Sequence, residues 1–307
     1  MPKTSVMEKS VEITTWFREV RPQFLLLSVV LVLLGAAIAW NEGYFEPVKF
    51  FLTLFGLVLA HISVNVLNDY FDYKSGIDLN TRQTAFSGGS GVLPQKLLQP
   101  GKVYIFGVLC LGAAFLIGVY LVIQTGWQLV PLILFGGVTS YFYTSHITKL
   151  PVSEFVAGLG LGSLPVIGTY VVQAGSFSSE VIAASIAPGI LTANLLFLNE
   201  FPDYEADIRG GRRHLLIFLG KKKAAIVYAG LTMAVYFSIV AATVFKLMPP
   251  SSLIALISLP AAVKAVRLTL RNYEGSLTME PALKANVITV LGTDFLLVVG
   301  YVLQQAL

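Results

Sequence analysis

The chain has 307 residues, 55% of them hydrophobic and only 12% charged, with a mean hydropathy of +0.75. A soluble domain carries about 25% charged residues, so a water-facing fold is excluded and a polytopic membrane protein is expected. The single Cys110 excludes an intrachain disulfide and a thiolate metal centre, and the formal charge of +4 is assigned to basic loops beside anionic headgroups, not to nucleic-acid binding.

The first 21 residues are polar and charged and lack the apolar core and small-residue site of a cleaved leader. Within them Ile13, Trp16, Phe17 and Val20 recur at i, i+3, i+4 and i+7, which predicts a helix lying in the membrane interface. A membrane span needs about 20 mostly apolar residues. That ruler predicts nine spans, at 22–40, 48–67, 103–123, 128–145, 153–173, 181–198, 223–246, 252–270 and 284–305. Pro131, Pro165 and Pro260 interrupt or flank the fourth, fifth and eighth. The expected fold is all-α, one integral membrane domain over 1–307 with about nine transmembrane helices.

Nineteen of the 21 Lys and Arg residues then fall on one side, leaving only Lys49 and Lys246 on the other. Positive charge stays in the cytoplasm, so the segment 1–21 is expected there and the carboxyl terminus outside. The same side carries the two longest loops, 68–102 and 199–222. Long loops in compact architectures are usually functional or disordered, and the run Phe86-Ser87-Gly88-Gly89-Ser90-Gly91 suits a mobile cover.

Two stretches in those loops match each other. Asn68-Asp69-Tyr70-Phe71-Asp72-Tyr73 and, 131 positions later, Asn199-Glu200-Phe201-Pro202-Asp203-Tyr204 both read Asn, acid, aromatic, any residue, Asp, Tyr. Seven of the 17 acidic residues (Asp69, Asp72, Asp78, Glu200, Asp203, Glu205, Asp207) lie in these two places. Their recurrence four spans apart predicts two pseudo-equivalent halves facing one central cavity. Asn65, Asp69 and Asp72 are spaced i, i+4, i+7, Asn68 and Asp72 i, i+4, and Asn199, Asp203 and Asp207 i, i+4, i+8, so each set shares a helix face.

Taken singly, such acids read as solvated loop charges with helix-capping Asn residues; two matched copies favour a metal. Oxygen ligands suit Mg²⁺, usually held by one or two carboxylates plus substrate phosphates. The expected ligands are Asn68, Asp69, Asp72, Asp78, Asn199, Asp203 and Asp207, holding two Mg²⁺ on one phosphorylated substrate. One Cys and three scattered His argue against zinc. Arg21, Arg82, Lys149, Arg212 and Arg213 sit near the same ends of spans and would complete the cradle of a diphosphate. Their alternative role is topological charge and headgroup contact, the reading preferred for Lys221-Lys222-Lys223.

Asn68-Asp69-x-x-Asp72 with Asp78, and Asp203-x-x-x-Asp207, resemble the two aspartate motifs of the UbiA superfamily of intramembrane prenyltransferases, and the resemblance covers nearly the whole chain. The commonest first motif would place its last Asp at Gly76. Its displacement to Asp78 is similar to the branch that prenylates 1,4-dihydroxy-2-naphthoate in menaquinone synthesis, as are Arg21-Pro22, Phe86-Ser87-Gly88-Gly89-Ser90 and Gly168-Thr169-Tyr170. Asn199-Glu200 and Gly211-Arg212-Arg213-His214 depart from that branch's usual Asn-Asn and Gly-Lys-Arg-Thr. The acceptor therefore stays open among that ring, 4-hydroxybenzoate, a chlorin, haem and an ether lipid.

The resemblance implies that Asp69, Asp72, Asp203 and Asp207 act through Mg²⁺ to draw diphosphate off a polyprenyl diphosphate donor, and that an electron-rich aromatic acceptor attacks the allylic cation. Asn65, Asn68, Asp78, Arg82, Lys149, Tyr143, Asn199, Arg21 and Arg212 are the expected substrate-binding residues. Aromatic faces stabilise a passing cation, so Tyr70, Tyr73, Tyr141, Tyr143 and Tyr170 are candidates beside a packing role. A cation-coupled transporter would also need intramembrane acids, but acids at one end of the bundle, with bases suited to a polyphosphate, favour the enzyme. Asp294, near the middle of the ninth span, is a functional candidate by its depth alone, open between the cavity, a partner such as Lys264, and protonation. His61 and His146 are expected to pack or anchor, although His146 lies close enough to Lys149 to reach substrate.

Overall fold

The computed structural model describes residues 13–81, 83–84, 87–275 and 278–306. Arg82 and Phe86, both singled out above, lie outside the described residues, as do Lys3 and Lys9. Helix α1 (residues 13–20) leads into α2 (Pro22–Asn41), α3 (Pro47–Ser75), the short α4 (Ile77–Asn80), α5 (Pro100–Thr125) and α6 (Val130–Phe142). The fifth span is composite: α7 (Ser153–Gly158), a π-helical turn Leu159–Ser163, and α8 (Leu164–Ala174). Then come α9 (Ser179–Asn199), the short α10 (Tyr204–Arg209) and α11 (Leu215–Leu219), α12 (Lys221–Val244), α13 (Leu259–Asn272) and α14 (Glu280–Ala306). The described residues contain no strand.

Eight segments are long and apolar enough to cross a membrane. They match eight of the nine expected spans; the remaining one, expected at 128–145, is the shorter apolar helix Trp127–Phe142. The three prolines mark where helix geometry breaks. Pro131 and Pro260 follow 3₁₀ segments and Pro165 follows the π turn, each standing in the first turn of the α-helix that comes next. Proline has no N–H to give and its ring clashes with the preceding turn, so a regular helix restarts there.

Helices α2 and α9 are the most enclosed of the eight. Small residues let them be: a Cβ on Gly35 would collide with the Val166 carbonyl, and one on Gly158 with the Gly189 carbonyl, so α2 seats against α8 and α7 against α9 at backbone distance. Leu31, Leu34, Val166, Tyr170, Leu191 and Tyr301 join α2, α8, α9 and α14 in the main core. A second cluster, with Phe197, Phe201, Leu216 and Tyr228, packs beneath the second acidic motif. Facing outward, α5 exposes Leu109, Leu116 and Ile123, as a span bordering lipid does. The expected apolar stripe of α1 divides: Trp16 packs edge-on against Phe106, centroids 5.0 Å apart, while Ile13 and Phe17 stay exposed.

Candidate active site

Helix α3 continues past its expected end at 67 to Ser75, where Gly76 in left-handed conformation (φ 79°) stops it. The first motif is therefore helical. Steps of about 100° per residue put Asn65, Asn68 and Asp72 on one face, and all three line a cavity of about 240 Å³. Asp69 sits at the margin of that face and does not line the cavity. Its carboxylate instead lies 3.5 Å from Arg21 Nη2 and accepts the Ser90 N–H at 2.8 Å.

The second motif is not one continuous helix, contrary to the i, i+4, i+8 reading. Pro202 lacks the N–H that would bond the Leu198 carbonyl, so α9 ends at Asn199 and the chain turns through residues 200–203 before α10 restarts. The turn nevertheless brings Asn199, Asp203 and Asp207 to the same cavity as the first motif. Arg212 joins the two. Its Nη2 lies 2.5 and 2.6 Å from the Asp72 oxygens and its Nη1 2.8 Å from Asp207 Oδ1. Asn68 Nδ2 donates to Asp72 at 2.9 Å, and Arg21 Nη2 donates to Asn68 Oδ1 at 3.3 Å. Asn65 Nδ2 donates to the Val20 carbonyl at 3.0 Å, fixing the backbone that presents Arg21.

The Gly-Ser run, expected as a mobile cover, is built into this site. Gly88 and Gly89 have φ of 84° and 67°, a region glycine enters without steric cost. The turn brings Gly88 and Gly89 to the cavity lining, and Ser90 donates its N–H to Asp69. A Cβ on Gly89 would stand 2.8 Å from Asp78 Oδ2. Ser90 Oγ also donates to the buried Glu19 at 2.8 Å, and Arg18 Nε donates to the Ser90 carbonyl at 2.9 Å, fastening the loop to α1.

Five buried oxygens in the cavity residues have no hydrogen-bond partner: Asp78 Oδ2, Thr192 Oγ1, Asn199 Oδ1, Glu200 Oε2 and Asp203 Oδ1. An unsatisfied buried acceptor costs about 1–3 kcal/mol, and more when charged. Burial pushes the Asp78 carboxyl up to about 8, with Asp72 and Asp69 adding to it, and the Asp203 carboxyl up to about 8, with Asp207 adding. A concave set of hard oxygens with unspent lone pairs is what a small hard dication needs.

Other expected residues divide. Tyr143 lines the cavity and its hydroxyl donates to the Ser153 carbonyl at 3.1 Å. Tyr70, Tyr73, Tyr141 and Tyr170 do not line it; Tyr170 donates to Glu42, and Tyr141 shares a 2.8 Å hydrogen bond with Tyr104. Lys149 and Arg213 are exposed and outside the lining, although Thr148 belongs to it. His61 lines the cavity and pairs with Ser28 Oγ at 2.7 Å, whereas His146 is exposed beside Ser145. Asp294 is fully buried, and neither of its oxygens has a hydrogen-bond partner, Lys264 included.

Glu154 and His214 escaped the sequence reading. His214 Nε2 lies 3.0 Å from Asp207 Oδ2, and its Nδ1 lies 3.3 Å from Glu200 and 4.0 Å from Glu154. Glu200 was legible as the acid of the second motif and His214 as a departure from that motif's usual form; that the two face each other was not. Burial pushes the Glu200 carboxyl well above the usual range, with Glu154 beside it adding to the rise.

Two acidic motifs and a bridging guanidinium are gathered at one end of an apolar helical bundle, the charged cavity of a polytopic membrane protein. Residues 28–283 match the UbiA prenyltransferase family, and the chain belongs to that family as a prenyltransferase. It is 29% identical to the 1,4-dihydroxy-2-naphthoate octaprenyltransferase of Bacillus subtilis (strain 168), covering 92% of this chain and 91% of that one. It is 28% identical to the enzyme of the same description from Escherichia coli (strain K12), covering 94% and 96%. The fold is shared with a UbiA homolog from Archaeoglobus fulgidus solved with GPP and Mg²⁺, at a TM-score of 0.61 and 13% identity over 93% of this chain and 99% of that one.

Proposed function

We propose that this chain transfers a polyprenyl group from a polyprenyl diphosphate to an aromatic quinone precursor, 1,4-dihydroxy-2-naphthoate, using Mg²⁺ on the cytoplasmic side of the membrane. The observation that carries this reading is the convergence of both acidic motifs, with unpartnered oxygens, on one cavity that also contains Arg21 and Arg212. The names of the bacterial relatives support the acceptor, and the nineteen-to-two distribution of basic residues supports the orientation.

The donor set fits Mg²⁺, because it consists of carboxylate and amide oxygens. Asp72, Asp78, Asn199, Asp203 and Asp207, with Asn68, would hold two ions; Asp69 would act by holding Arg21. Bound there, Mg²⁺ supplies Lewis-acid stabilisation of the charge that develops on a departing diphosphate. Arg21 and Arg212 offer forked donors to phosphate oxygens. Phe24, Leu27, Leu161, Leu195 and Leu196 wall the cavity and exclude the water that would quench an allylic cation. Tyr143 presents a π system on the same wall. A second, apolar cavity of about 580 Å³ shares Ser140 and Gly160 with the first and provides room for the isoprenoid tail.

The test is an assay of membranes containing the protein with a radiolabelled polyprenyl diphosphate, Mg²⁺ and a panel of aromatic acceptors, with an EDTA control. EDTA-sensitive transfer to 1,4-dihydroxy-2-naphthoate is expected. Transfer only to another ring would replace the acceptor, and transfer that survives EDTA would remove the metal.

The raised carboxyls give this activity a pH signature. Asp78 and Asp203 hold their protons up to about pH 8 in the metal-free protein, and protons compete with the metal for the same oxygens. The Mg²⁺ concentration giving half-maximal rate should therefore fall by about tenfold per pH unit for each proton displaced, and level off above about pH 8. A requirement independent of pH would mean both acids are already ionised. Lys149→Ala, whose side chain is exposed and outside the lining, should leave the KM for donor within about twofold; a large rise would bring the side chain into the diphosphate cradle.

A further inference from the structure

We propose that Glu154, Glu200 and His214 form a second site, for a borderline transition-metal dication of the Zn²⁺ class, in the wall of the oxygen-lined cavity, which Glu200 also lines. Nothing in this inference depends on the identity of the prenyl donor or acceptor. One ligand atom from each residue falls in a cluster whose members lie within 4.8 Å of one another, and all three residues are buried. They come from three places in the chain: the first turn of α7, the residue after α9, and the loop before α11.

The orientation of the imidazole is decided by its neighbours. Asp207 as a carboxylate only accepts hydrogen bonds, so the Nε2 atom 3.0 Å from its Oδ2 carries the proton. Nδ1 then holds the lone pair, and it points toward the two glutamates without making a hydrogen bond. Glu200 Oε2 is likewise buried and unpartnered. A histidine that gives one nitrogen to a carboxylate and turns the other to a metal is the usual arrangement at zinc sites.

The distances fit as well. Zn–N and Zn–O bonds of about 2.0–2.2 Å place tetrahedral ligand atoms about 3.4 Å apart. The separations from Nδ1 are 3.3 Å to Glu200 and 4.0 Å to Glu154, and all three ligand atoms lie within 4.8 Å of one another, so the site closes by drawing Glu154 inward. Glu154 is already aimed: Oε1 accepts the Leu215 N–H at 2.8 Å and Oε2 the Ser153 hydroxyl at 3.0 Å.

Charge points the same way. Among the described residues, no Lys or Arg forms an ion pair with Glu154 or Glu200, so two buried carboxyls side by side are left either to keep a proton or to take a cation. An imidazole ligand favours zinc-class metals over Mg²⁺, which takes oxygen. The sequence offered no zinc signature because the ligands are spread over residues 154, 200 and 214 with one histidine among them. A metal there would tie α7 to the second motif and fix the ring that holds Asp207.

The test uses the full chain purified in detergent, stripped with a chelator, and incubated with Zn²⁺ under millimolar Mg²⁺, with bound metal counted by elemental mass spectrometry. One Zn²⁺ per chain is expected. Glu200→Gln and His214→Asn should weaken it by about tenfold or more, while Asp203→Asn, outside the three ligands, keeps it and thereby separates this site from the Mg²⁺ site. Co²⁺ loaded into the wild-type protein should show tetrahedral visible absorption, a readout that stands even where a variant fails to fold. No stoichiometric Zn²⁺ and no Co²⁺ band would overturn the site. Zn²⁺ bound as tightly by folded His214→Asn would overturn it equally.

Discussion

Asp72→Ala and Asp203→Ala are each expected to lower prenyl transfer by about 10³-fold or more, while the protein remains folded in the membrane. Removing a single electrostatic stabiliser of a developing charge typically lowers kcat by about 10²–10³, and here a metal ligand goes with it. The two variants reach that loss differently. Asp72 is satisfied in the metal-free protein, accepting from Arg212 and Asn68, so its loss releases a buried guanidinium as well as a ligand. Asp203 carries a buried oxygen with no partner, so its removal relieves a cost and leaves metal-free stability unchanged or improved. The check is labelled-donor turnover, with elution in detergent and thermal unfolding with and without Mg²⁺. Wild type should gain Tm with Mg²⁺ by mass action, and Asp203→Ala should gain much less. Near-normal Mg²⁺-dependent turnover in both variants would remove the metal assignment.

Arg212→Ala is expected to destabilise the metal-free protein by about 3–5 kcal/mol, the range for deleting one partner of a buried ion pair. Arg212 is the only cation shown within ion-pair distance of both Asp72 and Asp207 among the described residues. Without it those carboxylates are enclosed beside Asp203 with only the Asn68 amide and the His214 ring N–H to offset them. Mg²⁺ should restore part of the lost Tm in this variant, because the ion and the guanidinium neutralise the same oxygens. Arg212→Lys should fall between, since an ammonium cannot reproduce the fork that bonds both acids at once. Turnover in Arg212→Ala should also fall by about 10²-fold. An unchanged unfolding temperature in the absence of Mg²⁺ would mean the bridge contributes nothing to the fold.

Composition and local pattern carried most of the architecture. Apolar runs near 20 residues are a direct consequence of bilayer thickness, so eight spans could be placed from the chain alone, and prolines 131, 165 and 260 marked where helix geometry changes. The matched acidic motifs were equally legible, because carboxylates are rare in such a chain and their repetition is not hidden by packing.

Tertiary structure decided which of those groups meet. Helical periodicity could not show that Asp69 turns to Arg21 and Ser90 while its neighbours face the cavity, because the choice depends on what α1 and the glycine loop bring to that margin. It could not show that Asp72 and Arg212, 140 residues apart, share two hydrogen bonds. Nor could it place Lys149 outside the lining, or assemble Glu154, Glu200 and His214. Local sequence reports which face of an element a residue occupies; distances between elements follow from how α3, α7, α9 and the loop before α11 pack, and a charge buried by that packing finds its partner only in three dimensions.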